Sequence, residues 1–222
     1  MERRESKIVE SRSSERGYAL VALLAMMTVV ALFAMAAAPR IQQQVQREQE
    51  QEAIFRGEQV ADAIVSYYAY RKAQYRTAGD QALPTSIDQL LEGVPIPGGS
   101  KTKQILRPSA ALDPMSNSHQ WRMVHPRSSE LIDFQQAVLF YAGNTLPQAT
   151  GYRQEIQQFA VPQMTTLINT GTVPGASSSG SSGDDSSGPF VGVASRSKKD
   201  SVLVFYGIER QDLWIFTPLF RN

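Results

Sequence analysis

The chain opens on polar sequence and then changes character abruptly. From Tyr18 to Ala38 it reads YALVALLAMMTVVALFAMAAA, uncharged throughout, with Thr28 as its one clearly polar side chain. At about 1.5 Å of rise per residue this stretch makes a helix about 30 Å long, which matches the hydrocarbon thickness of a bilayer. A soluble core helix of that length would need apolar cover on every side, more than one small domain supplies. The pattern therefore predicts a membrane span. Pro39 closes the run, and because proline removes a backbone donor and crowds the preceding turn, it predicts a kink in a continuing helix or else a helix stop. Beyond it, RIQQQVQREQEQEAIFRGEQVADAIVSYYAYRKAQY is free of proline and rich in good helix formers, which favours continuation. Arg40 to Glu52 is polar nearly all round, and such a charged stretch is ordinarily a solvated helical face. After it, Ile54, Ala61, Ile64, Val65, Tyr68 and Tyr75 recur at helical spacing. The distal half is thus expected to pack on a globular domain, while the proximal half stands clear as a stalk or touches neighbouring subunits. Gly57 falls on the same stripe and admits the close approach of a strand.

The remainder reads as a mixed domain. TAGDQALPTSIDQLLEGVPIPGG predicts a loop and a short helix capped near Thr85 or Ser86 and running from Ile87 to Leu91. Leu112-Asp113-Pro114 is turn chemistry ahead of a strand beginning near Gln120-Trp121-Arg122-Met123-Val124. Ser129 to Tyr141 is predicted helical, with Leu131, Phe134, Val138 and Tyr141 on one face, and so is Gly151 to Asn169. VPGASSSGSSGDDSSGP, from Val173 to Pro189, has too little apolar content to pack and is expected to be a flexible loop. The ending, PFVGVAS, SVLVFYGI and LWIFTPLF joined by short polar turns, predicts an antiparallel meander. The fold class is α+β.

Composition narrows the chemistry without naming a partner. Of 222 residues 42% are hydrophobic and 19% charged, the formal net charge is +1, and this balance is neither that of a disordered tail nor that of a nucleic-acid binder. There is no cysteine, hence no disulfide framework and no thiolate metal site. The segment before the span, MERRESKIVESRSSERG, carries Arg3, Arg4, Lys7, Arg12 and Arg16 among glutamates. The positive-inside rule keeps this flank cytoplasmic and puts the carboxyl-terminal bulk on the other side of the membrane. Ala36, Ala37 and Ala38 imitate the small-residue pattern of an ordinary signal-peptidase site, but the apolar stretch is long for a signal core and helix-forming sequence follows it.

Arg16-Gly17-Tyr18 followed by ALVALLAMMTVVAL resembles the processing site of type IV prepilins and type II secretion pseudopilins. The resemblance implies removal of residues 1–17 by a prepilin peptidase after Gly17 and methylation of the new amino terminus at Tyr18. Glycine offers no side chain to obstruct a protease and keeps the chain extended there. A proline where Pro39 stands, the Leu83-Pro84 turn, the Asp113-Pro114 turn and the closing GVASRSKKDSVLVFYG followed by DLWIF are similar to the same family. One position departs from it: the fifth mature residue, where most members carry a glutamate that neutralises a neighbour's terminal amine, is Ala22. That loss suits a minor subunit, a tip-like position or a divergent branch.

The resemblance implies a pilin-like organisation: a leader at 1–17, a transmembrane helix at 18–38, its periplasmic continuation at 39–77, and a head at 78–222 containing the flexible loop 173–189. The helices between Ser129 and Asn169 would be an insertion relative to small pseudopilins. The expected protein is a single-pass inner-membrane filament subunit of a bacterial secretion system or pilus, with a periplasmic carboxyl-terminal head. Its partners would be the lipid bilayer, other pilin or pseudopilin subunits, the prepilin peptidase and an assembly platform, with no nucleic acid. Filament packing would involve Ala22 and Pro39. The alternative is a bitopic anchor whose head binds another envelope component. No enzyme activity, cofactor or metal is expected. His119 and His125 have no cysteine or spaced carboxylate to complete a ligand set, and Asp184-Asp185 in a Gly/Ser tract falls short of a calcium cage. A Ser-His-Asp arrangement would show only in three dimensions.

Overall fold

A computed structural model describes residues 6–96, 101–146, 150–160 and 188–220, with the backbone alone for 6–16 and 36–41. The chain is α+β, with an amino-terminal apolar helix and small antiparallel sheets. It divides into two compact units, Met1–Val45 and Gln46–Asn222.

The first helix, α1, spans Ser6–Tyr75. It passes position 39 without interruption, so the proline does not stop it. It also passes Gly17, which is helical and not extended as the sequence suggested. Its end has a local cause: Arg76 takes positive φ (51°) while its N–H bonds Lys72 O at 3.0 Å, a left-handed cap on the last turn. From Gln46 onward α1 belongs to the second unit. There Ala61, Ile64 and Tyr68 are buried as the stripe predicted, Ile54 and Val65 are half-buried, and Tyr75 is exposed. The buried face starts earlier than expected, at Glu50 and Ala53.

The short helix α2, Ile87–Glu92, begins where the caps placed it. Ser86 Oγ accepts the N–H of Gln89, and the Gln89 side chain returns a bond to the Thr85 N–H at 3.0 Å, a reciprocal cap at the first turn. α3 is Ser129–Tyr141, capped by Ser128, with Leu131, Phe134 and Val138 buried and Tyr141 left outside. α4 covers Tyr152–Ile156 and continues as a 3-10 turn to Phe159. The helix expected from Gly151 to Asn169 is thus broken at Ala160, whose backbone is extended (φ −69°, ψ 153°), and residues 161–169 lie outside the described residues. So does nearly all of the predicted 173–189 loop, including Asp184 and Asp185.

Among the described residues, seven strands form three small antiparallel sheets. β1 (Val94–Pro95) pairs with β2 (Thr102–Lys103). β3 (Arg122–Val124), β4 (Gly192–Ala194) and β7 (Ile215–Phe216) form the central sheet, with β4 in the middle. β5 (Asp200–Phe205) and β6 (Ile208–Arg210) form a separate hairpin. This departs from the predicted meander, because β7 returns to β4 and leaves the hairpin out of the central sheet. Burial explains the split. β4 and β7 are buried at every position and need a covered site, whereas β5 alternates and leaves Val202 and Val204 exposed. The hairpin turn is Tyr206-Gly207, both at positive φ (51° and 80°), the sign pattern of a type I′ turn.

The central sheet lies against α1, and the contact depends on a missing side chain. A Cβ at Gly57 would sit 2.2 Å from Phe216 Cγ. Phe216 in turn meets the Trp121 ring edge-on at 5.7 Å between centroids, and Trp121 donates its indole N–H to Ala110 O. Three turns further along the same face of α1, Tyr68 packs edge-on against Phe159 after α4, with centroids 6.2 Å apart. Lys72 and Glu155 tie the same two elements at 2.5 Å, and this hydrogen bond holds the Lys72 ammonium above its ordinary pKa.

Candidate functional site

Two features stand out, one in each unit. In the first, every side chain from Gly17 to Met35 is exposed. This stretch of 19 residues has a mean hydropathy of 2.4 and is long and apolar enough to cross a membrane. Its one clearly polar side chain is satisfied internally, with Thr28 Oγ1 donating to Ala25 O at 2.7 Å, so the middle of the helix brings no unpaired threonine hydroxyl into apolar solvent. A surface of large apolar side chains of this extent is costly in water and marks a place where something apolar belongs. Gly17 and Tyr18 lie at its amino-terminal edge, with Tyr18 79% exposed and nothing within 4 Å of where a Gly17 side chain would stand. The backbone there is accessible to another molecule, although it is helical. Ala22 is exposed on the same helix. At Pro39 the helical backbone alone is described.

The second feature is polar and buried, and it was not legible as such in the chain. Glu50 falls in the stretch read as a solvated face, yet it is 0% exposed. Burying a carboxylate without partners costs several kcal/mol, so its surroundings must supply donors. They do. Glu50 Oε2 accepts from Leu203 N at 2.7 Å, both oxygens share Val202 N at 3.0 Å, and Oε1 accepts the side-chain amides of Gln211 (2.7 Å) and Gln46 (2.9 Å). Gln46 also donates to Asp200 O at 2.6 Å. A carboxylate is suited to this position because it accepts only, and every group pointed at it is a donor.

Gln211 extends the network to a second buried carboxylate. Its Oε1 accepts from Ser197 Oγ at 2.7 Å, Ser197 N donates to Ser195 Oγ at 3.1 Å, and Ser195 Oγ donates to Asp113 Oδ2 at 2.7 Å. Asp113 Oδ1 takes the N–H of Met115 at 2.9 Å, which closes the turn through Pro114 on itself. The Asp-Pro turn predicted ahead of β3 is therefore also the end of a chain of bonds running through the loops after β4 and β6 to α1. The chain matches no protein-family model, no curated protein and no solved structure.

The arrangement clarifies what Ser195 does. Its hydroxyl proton points at Asp113, whereas His119 Nδ1 lies 3.1 Å from the Asp113 main-chain oxygen and His125 Nδ1 lies 2.8 Å from Pro189 O. Both imidazoles thus meet backbone, and the serine-carboxylate pair holds two loops together. Among the described residues no group of three or more His, Cys, Asp or Glu is placed to hold a metal ion. Asp113→Ala would strand the Ser195 hydroxyl and the Met115 and Arg196 N–H groups. It is expected to cost about 2 kcal/mol, with Asp113→Asn losing about half of that because one acceptor oxygen remains. Urea unfolding of the full chain in detergent measures both, and equal stability of the two variants with the parent would dismiss a structural role for the network.

Proposed function

We propose that this protein is a membrane-anchored subunit of a type II secretion or type IV pilus-type filament, with a structural role in secretion or pilus assembly. The observation that carries the reading is the fully exposed apolar helix from Gly17 to Met35, which begins at a Gly-Tyr pair and belongs to the same helix that packs on an antiparallel sheet from Gln46 onward. In this reading a prepilin peptidase cuts between Gly17 and Tyr18 on the cytoplasmic face of the bacterial inner membrane, and the head is periplasmic. One helix then works twice. Before assembly the lipid tails cover its apolar side chains, and in the filament the same side chains pack against those of neighbouring subunits, so transfer exchanges one apolar environment for another at little cost. The work of the subunit is mechanical: it extends a filament that pushes cargo or supports a pilus.

Ala22 favours attention to a second reading, a bitopic anchor whose head binds another envelope component without polymerising. With alanine at this place the span brings no carboxylate to meet a neighbour's terminal amine. Mass spectrometry of the native protein from cells with an active prepilin peptidase separates the two. A methylated amino terminus at Tyr18 is the expected result, and a chain that keeps residues 1–17 in such cells would reject the filament role.

A further inference from the structure

Hairpin β5–β6 shares no strand pairing with the central sheet. A two-stranded ribbon is marginal on its own, so other contacts must hold it. At its tip, the Tyr206 ring meets Phe134 and Tyr141 of α3 edge-on, each at 5.8 Å between centroids, and this contact keeps a bulky residue at positive φ. At its stem, pairing with β6 is irregular between Asp200 and Phe205. Within that irregular stretch the N–H groups of Val202 and Leu203 bond Glu50, while Asp200 O bonds Gln46. Gln46 is the first residue of the second unit, so α1 enters the head by grasping this hairpin.

We propose that Glu50 is a latch and that hairpin β5–β6 is a strap, a segment that opens as a unit when the latch is removed while the central sheet stays closed. The carboxylate acts where the pairing with β6 is irregular: it offers two acceptor oxygens to the main-chain donors of Val202 and Leu203, and the helix is fixed to the strap by the same bonds. Gln211 and Gln46 brace the carboxylate from two sides, which sets the direction in which its oxygens point. Because the strap is half-exposed along β5, its opening uncovers less apolar surface than would separation of β4 from β7, whose side chains are all buried; what it uncovers is chiefly the contact of Phe205 with Trp214 and Phe216. The device is intramolecular and holds whether or not the chain enters a filament.

Amide hydrogen exchange followed by mass spectrometry, on the full chain in detergent micelles, tests it. In E50A the amides of residues 200–205 are expected to exchange at least about tenfold faster than in the parent, with β3, β4 and β7 unchanged. E50Q should fall between, because its one oxygen still accepts while its NH2 is set against a donor. Should E50A fail to fold, E50Q and Q211A, read in the same way, decide the matter. Unchanged exchange across 200–205 in these variants would overturn the latch, and an equal rise across the strap and the central sheet would overturn the separate strap. A native amino terminus other than Tyr18 would sink the filament reading and leave these outcomes as they stand.

Discussion

Gly57→Ala is expected to destabilise the second unit by about 3 kcal/mol, although the same change inside an ordinary helix stabilises by about 1 kcal/mol. The sign reverses because the added methyl has no place to go. Its carbon would stand 2.2, 2.3 and 2.8 Å from three atoms of the Phe216 ring. That ring is in turn confined by Trp121 at 5.7 Å and Phe205 at 5.5 Å between centroids, so it cannot swing aside without pushing into the rest of the core. Either α1 lifts from β7 or the aromatic cluster repacks, and both lose contacts. For a unit of this size the loss corresponds to a melting temperature lower by roughly 6–12 °C. Tryptophan fluorescence during heating reports it, since Trp121 and Trp214 are both buried in the affected core. Ser66→Ala on the exposed face of the same helix serves as the control and should change stability by less than about 0.5 kcal/mol. A Gly57→Ala protein as stable as the parent would mean that the helix and the central sheet do not approach as described.

Gly57 was legible because its position repeats with the apolar stripe; Glu50 was missed although it obeys the same arithmetic. It lies seven residues before Gly57 and fourteen before Ile64, so all three share a face of α1. Reading the run from Arg40 to Glu52 by its average polarity hid a member that points inward. The physical cause is that a buried carboxylate is decided by its partners, and all of these but Gln46 come from residues 202, 203 and 211, more than 150 positions along the chain. No local pattern announces them. The signal available was a charged residue in phase with a buried stripe, which asks for donors from elsewhere in the fold.

The strands divide along similar lines. Their existence near the carboxyl terminus followed from valine, isoleucine and aromatic content, and short turns marked where each ended. Their pairing did not follow. PFVGVAS, SVLVFYGI and LWIFTPLF are all continuous apolar runs, and only burial in the folded chain, alternating along β5 and complete along β4 and β7, separates strands covered on both faces from a half-exposed ribbon. Read as three consecutive strands they suggest a meander; read by burial they place the outer two together and the middle one aside. α2 and α3, by contrast, were fixed by local chemistry, a serine cap and a helical period, and their bounds followed closely. Gly17 and Tyr18 are a different case, because the proposed role of the pair is toward a peptidase, and within the chain the two residues form only an exposed helical turn.

Placing two aspartates in the apolar segment, Met26→Asp with Val29→Asp, is expected to release the full chain from membranes. Met26 lies at the centre of Gly17–Met35 and Val29 one turn further, where a charged side chain has the longest path to water. Each aspartate near the middle of a span costs roughly 2.5–3.5 kcal/mol, and aspartate is too short to snorkel as lysine or arginine does. Together they amount to about 6 kcal/mol, a factor of about 10⁴ in partitioning at 1.4 kcal/mol per decade. The parent chain should resist alkaline carbonate extraction, whereas the double variant should appear in the soluble fraction. Since both positions belong to the first unit, tryptophan fluorescence of the second should melt at the parent temperature, so loss of membrane association would not be confused with unfolding of the head. Retention of the double variant in carbonate-washed membranes would mean that something other than this helix holds the protein to the bilayer, and the anchor reading would have to be abandoned.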